Sequence, residues 1–121
     1  LEALKGAGLL DDIRTADATI PLEVLDAAHE MTGGEPVDLV INACNVEGTE
    51  TSAILPCRER GTVYFFNMAT SFARAALGAE GVGRDLDLLI GNGYARGHAQ
   101  LSLDTLRNHT VVRERFEALL A

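Results

Sequence analysis

Four short stretches of the chain read as strands, and segments of helical spacing lie between them. "VDLVINAC" (37–44), "GTVYFFNM" (61–68) and "LDLLIGNG" (86–93) are brief and nearly all apolar, the pattern of strands covered on both faces. "DIRTADAT" (12–19) has a weaker strand pattern that runs into a turn. Residues 1–8 read as a short helical stub ended by Gly6 and Gly8. Pro21 suits a first helical position with Glu23 in the first turn, and the spacing predicts a helix to Met31, ended by Gly33-Gly34. "GTETSAILPCRER" (48–60) reads as a helix in which Pro56 is a kink or early stop. "TSFARAALGAEGVGRD" (70–85) reads as a short helix followed by a glycine-rich loop, and a long helical pattern from Gly97 to Ala121 breaks near Asn108-His109-Thr110.

Strands alternating with helices predict an α/β domain with a parallel sheet of about four strands. Residues 37–43, 62–67 and 86–91 are expected as adjacent parallel strands joined by right-handed crossovers. A chain of 121 residues reads as one domain, long enough for a core without staples.

Eighteen acidic against ten basic residues leave a formal charge of −8, which argues against nucleic acid or an anionic membrane as partner. A small anionic ligand stays open, because helix N-termini bind phosphate without net positive charge. No apolar run approaches the ~20 residues of a membrane helix, and Glu2 and Lys5 interrupt any leader-like start. Cys44 and Cys57 sit in no metal-binding spacing, so no metal site is expected, and a reduced cytoplasmic protein is the economical reading.

In open parallel sheets, ligands lie beyond the carboxyl ends of the strands. Those ends read Asp17-Ala18-Thr19, Asn42-Ala43-Cys44-Asn45, Asn67-Met68-Ala69-Thr70 and Gly91-Asn92-Gly93. Three of the four carry asparagine and none carries lysine or arginine, which suits amide and ribose groups better than bare phosphate. The alternative is that these asparagines only cap turns. "IGNGYARG" imitates a dinucleotide fingerprint, but the acidic ribose contact expected about 20 residues on falls at Glu117 in the terminal helix. "GAEGVG" (78–83) has the wrong glycine order and reads as a loop. His98, beside a strand end, is the candidate acid–base or substrate contact, against the alternative of a surface histidine at a helix start. His29 and His109 fall on predicted helices, and Cys44 reads as a small buried hydrophobe, not a nucleophile. Asp11-Asp12 invites comparison with phosphoacceptor domains, which need a late lysine; the only lysine is Lys5.

"VDLVINACNVEGTETSAIL", "GTVYFFNMATSFARAALGAEGVGRD" and "LLIGNGYARGHA" resemble the C-terminal part of the L-erythro-3,5-diaminohexanoate dehydrogenase family, over about residues 1–118. That family is distantly similar to the medium-chain dehydrogenase superfamily. The resemblance implies a partial Rossmann-type, doubly wound parallel sheet and NAD or NADP as cofactor. It also implies oxidative deamination of a 3,5-diaminohexanoate to a 5-amino-3-oxohexanoate in lysine breakdown. The loops lining the nicotinamide would be Ala43, Cys44, Asn45 and Val46 after one strand and Asn67, Met68 and Ala69 after the next. The adenine-side contact would fall at Asp17 and Ala18. The glycine fingerprint, two strands and the catalytic domain are not among these residues, so the resemblance implies a fragment. A homo-oligomer, or completion by an N-terminal segment, is expected, since an unpaired strand edge seeks a partner. One such rearrangement would bring residues 12–18 beside 37–43. A non-catalytic nucleotide-binding or assembly module is the alternative.

Overall fold

Three parallel strands carry the architecture: β1 (Val37–Asn42), β2 (Cys57–Phe65) and β3 (Asp87–Ile90), in spatial order β1-β2-β3. The computed structural model describes residues 1–91 and 93–121; Asn92, named above at a strand end, lies outside the described residues. Val40 pairs with Val63 and Asn42 with Phe65, while Val63 pairs with Leu88 and Phe65 with Ile90. The expected parallel order of the three apolar runs is the one observed. Connections through α3 (Glu50–Ile54) and α4 (Phe72–Val82) make each crossover a β-α-β unit. The other helices are α1 (Glu2–Gly6), α2 (Pro21–Thr32), α5 (His98–Asn108) and α6 (Thr110–Leu120), and the class is α/β, consistent with a partial Rossmann-like fold.

The chain divides into two compact units, Arg14–Asn92, which holds the sheet, and Leu1–Ile13 with Gly93–Ala121, which holds α1, α5 and α6. In the sheet unit, Val63 and Phe65 are fully buried against Ala53 and Ile54 of α3 and Ala75 of α4, with Val40, Leu88 and Ile90 beside them. Leu39, Ile41 and Leu89 alternate with these residues, as the pleat requires, and are each more than half exposed. The apolar runs had suggested strands buried on both faces. In the structure only the face under α3 and α4 is buried that way.

Five expectations are corrected. Residues 12–19 form no strand: the Asp17 carboxylate takes both the amide and the hydroxyl of Thr19, and Ile20 N donates to Asp17 O. Such local side-chain bonds compete with a ladder. The described sheet therefore has three strands, not about four, and residues 12–18 do not pair with 37–43.

The helix read over 48–60 stops at Ile54, and Cys57 already belongs to β2. Pro56 cannot supply the amide that would continue the helix. Arg84 fastens the transition by donating from Nη1 to the carbonyls of Leu55 and Cys57. β2 then bulges: it advances from Cys57 to Thr62 while β1 advances only from Val37 to Leu39, and Arg60 takes a positive φ of 59°.

Residues 78–82 belong to α4, not to a loop, and the helix ends on left-handed Gly83. Gly78 faces α3 so closely that a Cβ there would lie 3.2 Å from Ile54 Cδ1. The glycine marks a close helix contact, not a break. The remaining boundaries agree with the pattern: Pro21 starts α2, left-handed Gly33 ends it, and α5 passes to α6 at His109.

Candidate functional site

β1 and β2 lie side by side and parallel, so their carboxyl ends deliver two loops to one rim of the sheet. These loops are laced together by side-chain amides. Asn42, buried at the end of β1, accepts from Cys44 N at 3.0 Å and donates to Thr49 Oγ1 at 2.8 Å. Thr49 Oγ1 in turn donates to Val46 O at 3.3 Å. The loop after β1 is thus folded back on its own strand.

Asn67 organises the second loop. Its Oδ1 accepts from Ala69 N at 2.9 Å and Thr70 Oγ1 at 3.0 Å, and its Nδ2 donates to Asn42 O at 3.1 Å. Asn45 reaches across and accepts from Met68 N at 3.0 Å. The structure therefore joins Asn45, Asn67, Met68, Ala69 and Cys44 in one network. Asn45 is exposed and its Nδ2 has no hydrogen-bond partner among the described residues; Met68 is 79 % exposed. Ala43 and Val46 are exposed on the same loop.

Ala18 joins the site from a different direction. With Val24, Val40, Asn42, Thr49 and Ser52 it lines a cavity of about 150 Å³. Ser52 Oγ is buried there without a partner among the described residues. Asp17 is exposed, and its bonds to the Thr19 hydroxyl and amide hold its carboxyl below the usual range.

His98 belongs to the other unit and starts α5 behind left-handed Gly97. Its Nδ1 lies 2.7 Å from Ala95 O, so that nitrogen carries the proton, and Tyr94 packs edge-on at 4.9 Å. The bond leaves Nε2 as the basic nitrogen. Among the described residues after Gly97 the chain forms α5 and α6 and no strand, unlike the β-α-β unit of a dinucleotide fingerprint.

Sequence reasoning missed two members. Thr49 is the partner that orients Asn42, and Glu50 is 2 % exposed at the start of α3. Burial pushes the Glu50 carboxyl up, but donors from Ser71 N at 2.8 Å and Arg74 Nε at 3.3 Å outweigh it and hold the group below its ordinary value. A threonine-glutamate pair after Gly48 reads as an ordinary helix start, and nothing local announces that the carboxylate is buried. No cluster of three or more metal-ligating side chains occurs among the described residues, and none of their helices is long and apolar enough to cross a membrane.

No family model matches the chain. It is 54 % identical over 112 residues to the L-erythro-3,5-diaminohexanoate dehydrogenase of Acetoanaerobium sticklandii, which covers 93 % of this chain and 33 % of that protein. The enzyme of the same name from Fusobacterium nucleatum is 51 % identical over 104 residues, covering 86 % of this chain and 30 % of that protein. The chain is homologous to one third of L-erythro-3,5-diaminohexanoate dehydrogenase. The resemblance carried by the three quoted blocks is thereby matched by two proteins named as dehydrogenases. Because the chain spans about a third of the curated relatives it matches, the matched dehydrogenases hold most of their residues outside this region.

Proposed function

We propose that these residues form the C-terminal portion of the dinucleotide-binding domain of an L-erythro-3,5-diaminohexanoate dehydrogenase. Its cofactor is NAD or NADP and its substrate a small diamino acid. The complete enzyme oxidises the 3-amino carbon to an imine, which water hydrolyses to release ammonia and give 5-amino-3-oxohexanoate in lysine breakdown. When held at the rim of Asn45 and Asn67, a nicotinamide would supply the hydride acceptor for that carbon.

One observation supports the placement of the ring: the uncharged rim made by Asn45 and Asn67 on neighbouring strand ends. A carboxamide needs a donor and an acceptor, and Asn45 Nδ2 is an exposed donor without a partner among the described residues. Ala43, Cys44, Asn45 and Val46 hold one side of the ring, and Asn67, Met68 and Ala69 the other. Asn67 spends its hydrogen bonds on the loop and so acts by shaping it. Asp17 and Ala18 form the adenine side, where Ala18 lines the cavity that contains the Ser52 hydroxyl. His98, at the start of α5, is kept by itself as the candidate acid–base or substrate contact.

The open edge of β1 is paired by a strand from the rest of the polypeptide or by another copy. Two free thiols, Cys44 and Cys57, suit a reducing, cytoplasmic setting. Titration of the full-length enzyme and its Asn45→Leu variant with NAD⁺ and NADP⁺ tests the reading. Weaker binding in the variant supports it, and equal affinity overturns it.

A further inference from the structure

The strongest feature outside the asparagine network is a buried carboxylate that the core does not need. Ala53 and Ile54 supply the contact of α3 with the sheet and α4. Glu50, one turn earlier, has a side chain only 3 % exposed and faces no apolar task. A buried charge is costly unless it is paired and hydrogen-bonded. Besides its own backbone amide, the carboxylate has two partners on one segment: the amide of Ser71 and the guanidinium of Arg74.

That segment is the end of the loop after β2. Ser71 is the N-cap of α4, where its hydroxyl accepts from Arg74 N at 3.3 Å. The loop is therefore held at three successive places. Asn42 O takes the Asn67 side chain, Asn45 takes the Met68 amide, and Glu50 takes the Ser71 amide. The first two anchors come from the candidate site itself. The third comes from beneath it, and Arg74, half exposed, neutralises its charge from the solvent side.

We propose that Glu50 is a positioning residue for the dinucleotide: its carboxylate, through Ser71 and Arg74, fixes the Asn67–Ser71 loop in the shape that receives the nicotinamide. This rests on the reading that the loops after β1 and β2 face that ring. Glu50 touches no cofactor atom in this scheme. Its effect is that ligand binding does not have to order the loop.

The test is equilibrium titration of the full-length dehydrogenase with NAD⁺ and NADP⁺, beside hydrogen exchange at residues 67–71 and the thermal midpoint. Glu50→Leu should weaken dinucleotide binding by roughly tenfold, the scale of one lost hydrogen bond to a charged group. The loop amides should lose protection before ligand and regain it with ligand. Glu50→Gln keeps an oxygen for the Ser71 amide and should recover most of the affinity. Arg74→Gln, at a half-exposed site, should give a smaller loss in the same direction, and these two variants carry the test if Glu50→Leu does not fold. A lowered thermal midpoint with wild-type affinity in all Glu50 and Arg74 variants would reduce Glu50 to a packing role and overturn the inference. Asn45→Leu separates the two levels. Wild-type affinity there overturns the site reading and this inference together, whereas weakened Asn45→Leu binding with unaffected Glu50 variants overturns this inference alone.

Discussion

Asn45 and Met68 meet at 3.0 Å across two loops that are 23 residues apart in the chain, side-chain oxygen to backbone amide. The bond exists only because β1 and β2 are parallel neighbours, so that their carboxyl ends open at the same rim. It turns two separate strand ends into one surface.

Asn67 is the centre of that surface, with three bonds of its own. Replacing it with Leu should weaken dinucleotide binding to the full-length enzyme by roughly 1–3 kcal/mol, since the polar groups around it lose their partner. Calorimetric titration checks this, and unchanged affinity would remove Asn67 from the site.

Gly61 offers a test of the β2 bulge. A Cβ there would lie 2.6 Å from Cys57 Sγ and 2.9 Å from Arg58 O. Gly61→Ala should therefore destabilise the fold by about 1–3 kcal/mol through overpacking. Urea denaturation would show a lower midpoint with an unchanged slope. An unshifted midpoint would mean that the bulge yields freely.

Glu50 also makes a pH prediction. Its folded pKa lies below the ordinary value of 4.5, so its contribution to stability is complete above that pH and fades as the pH falls through the depressed folded value. The stability gap between wild type and Glu50→Gln should narrow as the pH falls below the ordinary 4.5 and through the depressed folded value. A constant gap across that range would show that the charge contributes nothing.

The two thiols should differ in reactivity. Burial pushes the Cys57 thiol up from its ordinary 9.0, and its sulfur is fully enclosed, whereas Cys44 is half-buried on the rim. Iodoacetamide should label Cys44 first under native conditions, and Cys57 only on unfolding. Equal labelling rates would show that the core around Cys57 opens readily.

The 121-residue chain by itself should bind NAD⁺ or NADP⁺ no more tightly than about 1 mM, or about 4 kcal/mol, and should not turn over the diamino acid. Its rim would contact one ring of the ligand, and the turn at Gly97 leads into α5 with no strand after it among the described residues, so it does not make the β-α-β fingerprint that holds a pyrophosphate. Micromolar affinity in a calorimeter would show the fragment to be self-sufficient.

Much of this was determined by sequence alone. Apolar runs at 37–44, 61–68 and 86–93 separated by helical spacing leave a parallel sheet as the natural solution, and Pro21, Gly33 and the break at His109 mark helix ends by backbone chemistry that needs no partner. The asparagines at strand ends were legible for the same local reason. Tertiary structure decided the rest. Residues 12–19 had strand composition but found no ladder, and the Asp17–Thr19 turn prevailed. Gly78 looked like a loop residue until α3 approached it, and 57–60 looked helical until β1 offered Cys57 a partner in Val37. Glu50 is the clearest case. Its burial depends on Ser71 and Arg74, more than twenty residues away, and hydrogen bonds over that separation are set by packing, which no local pattern encodes.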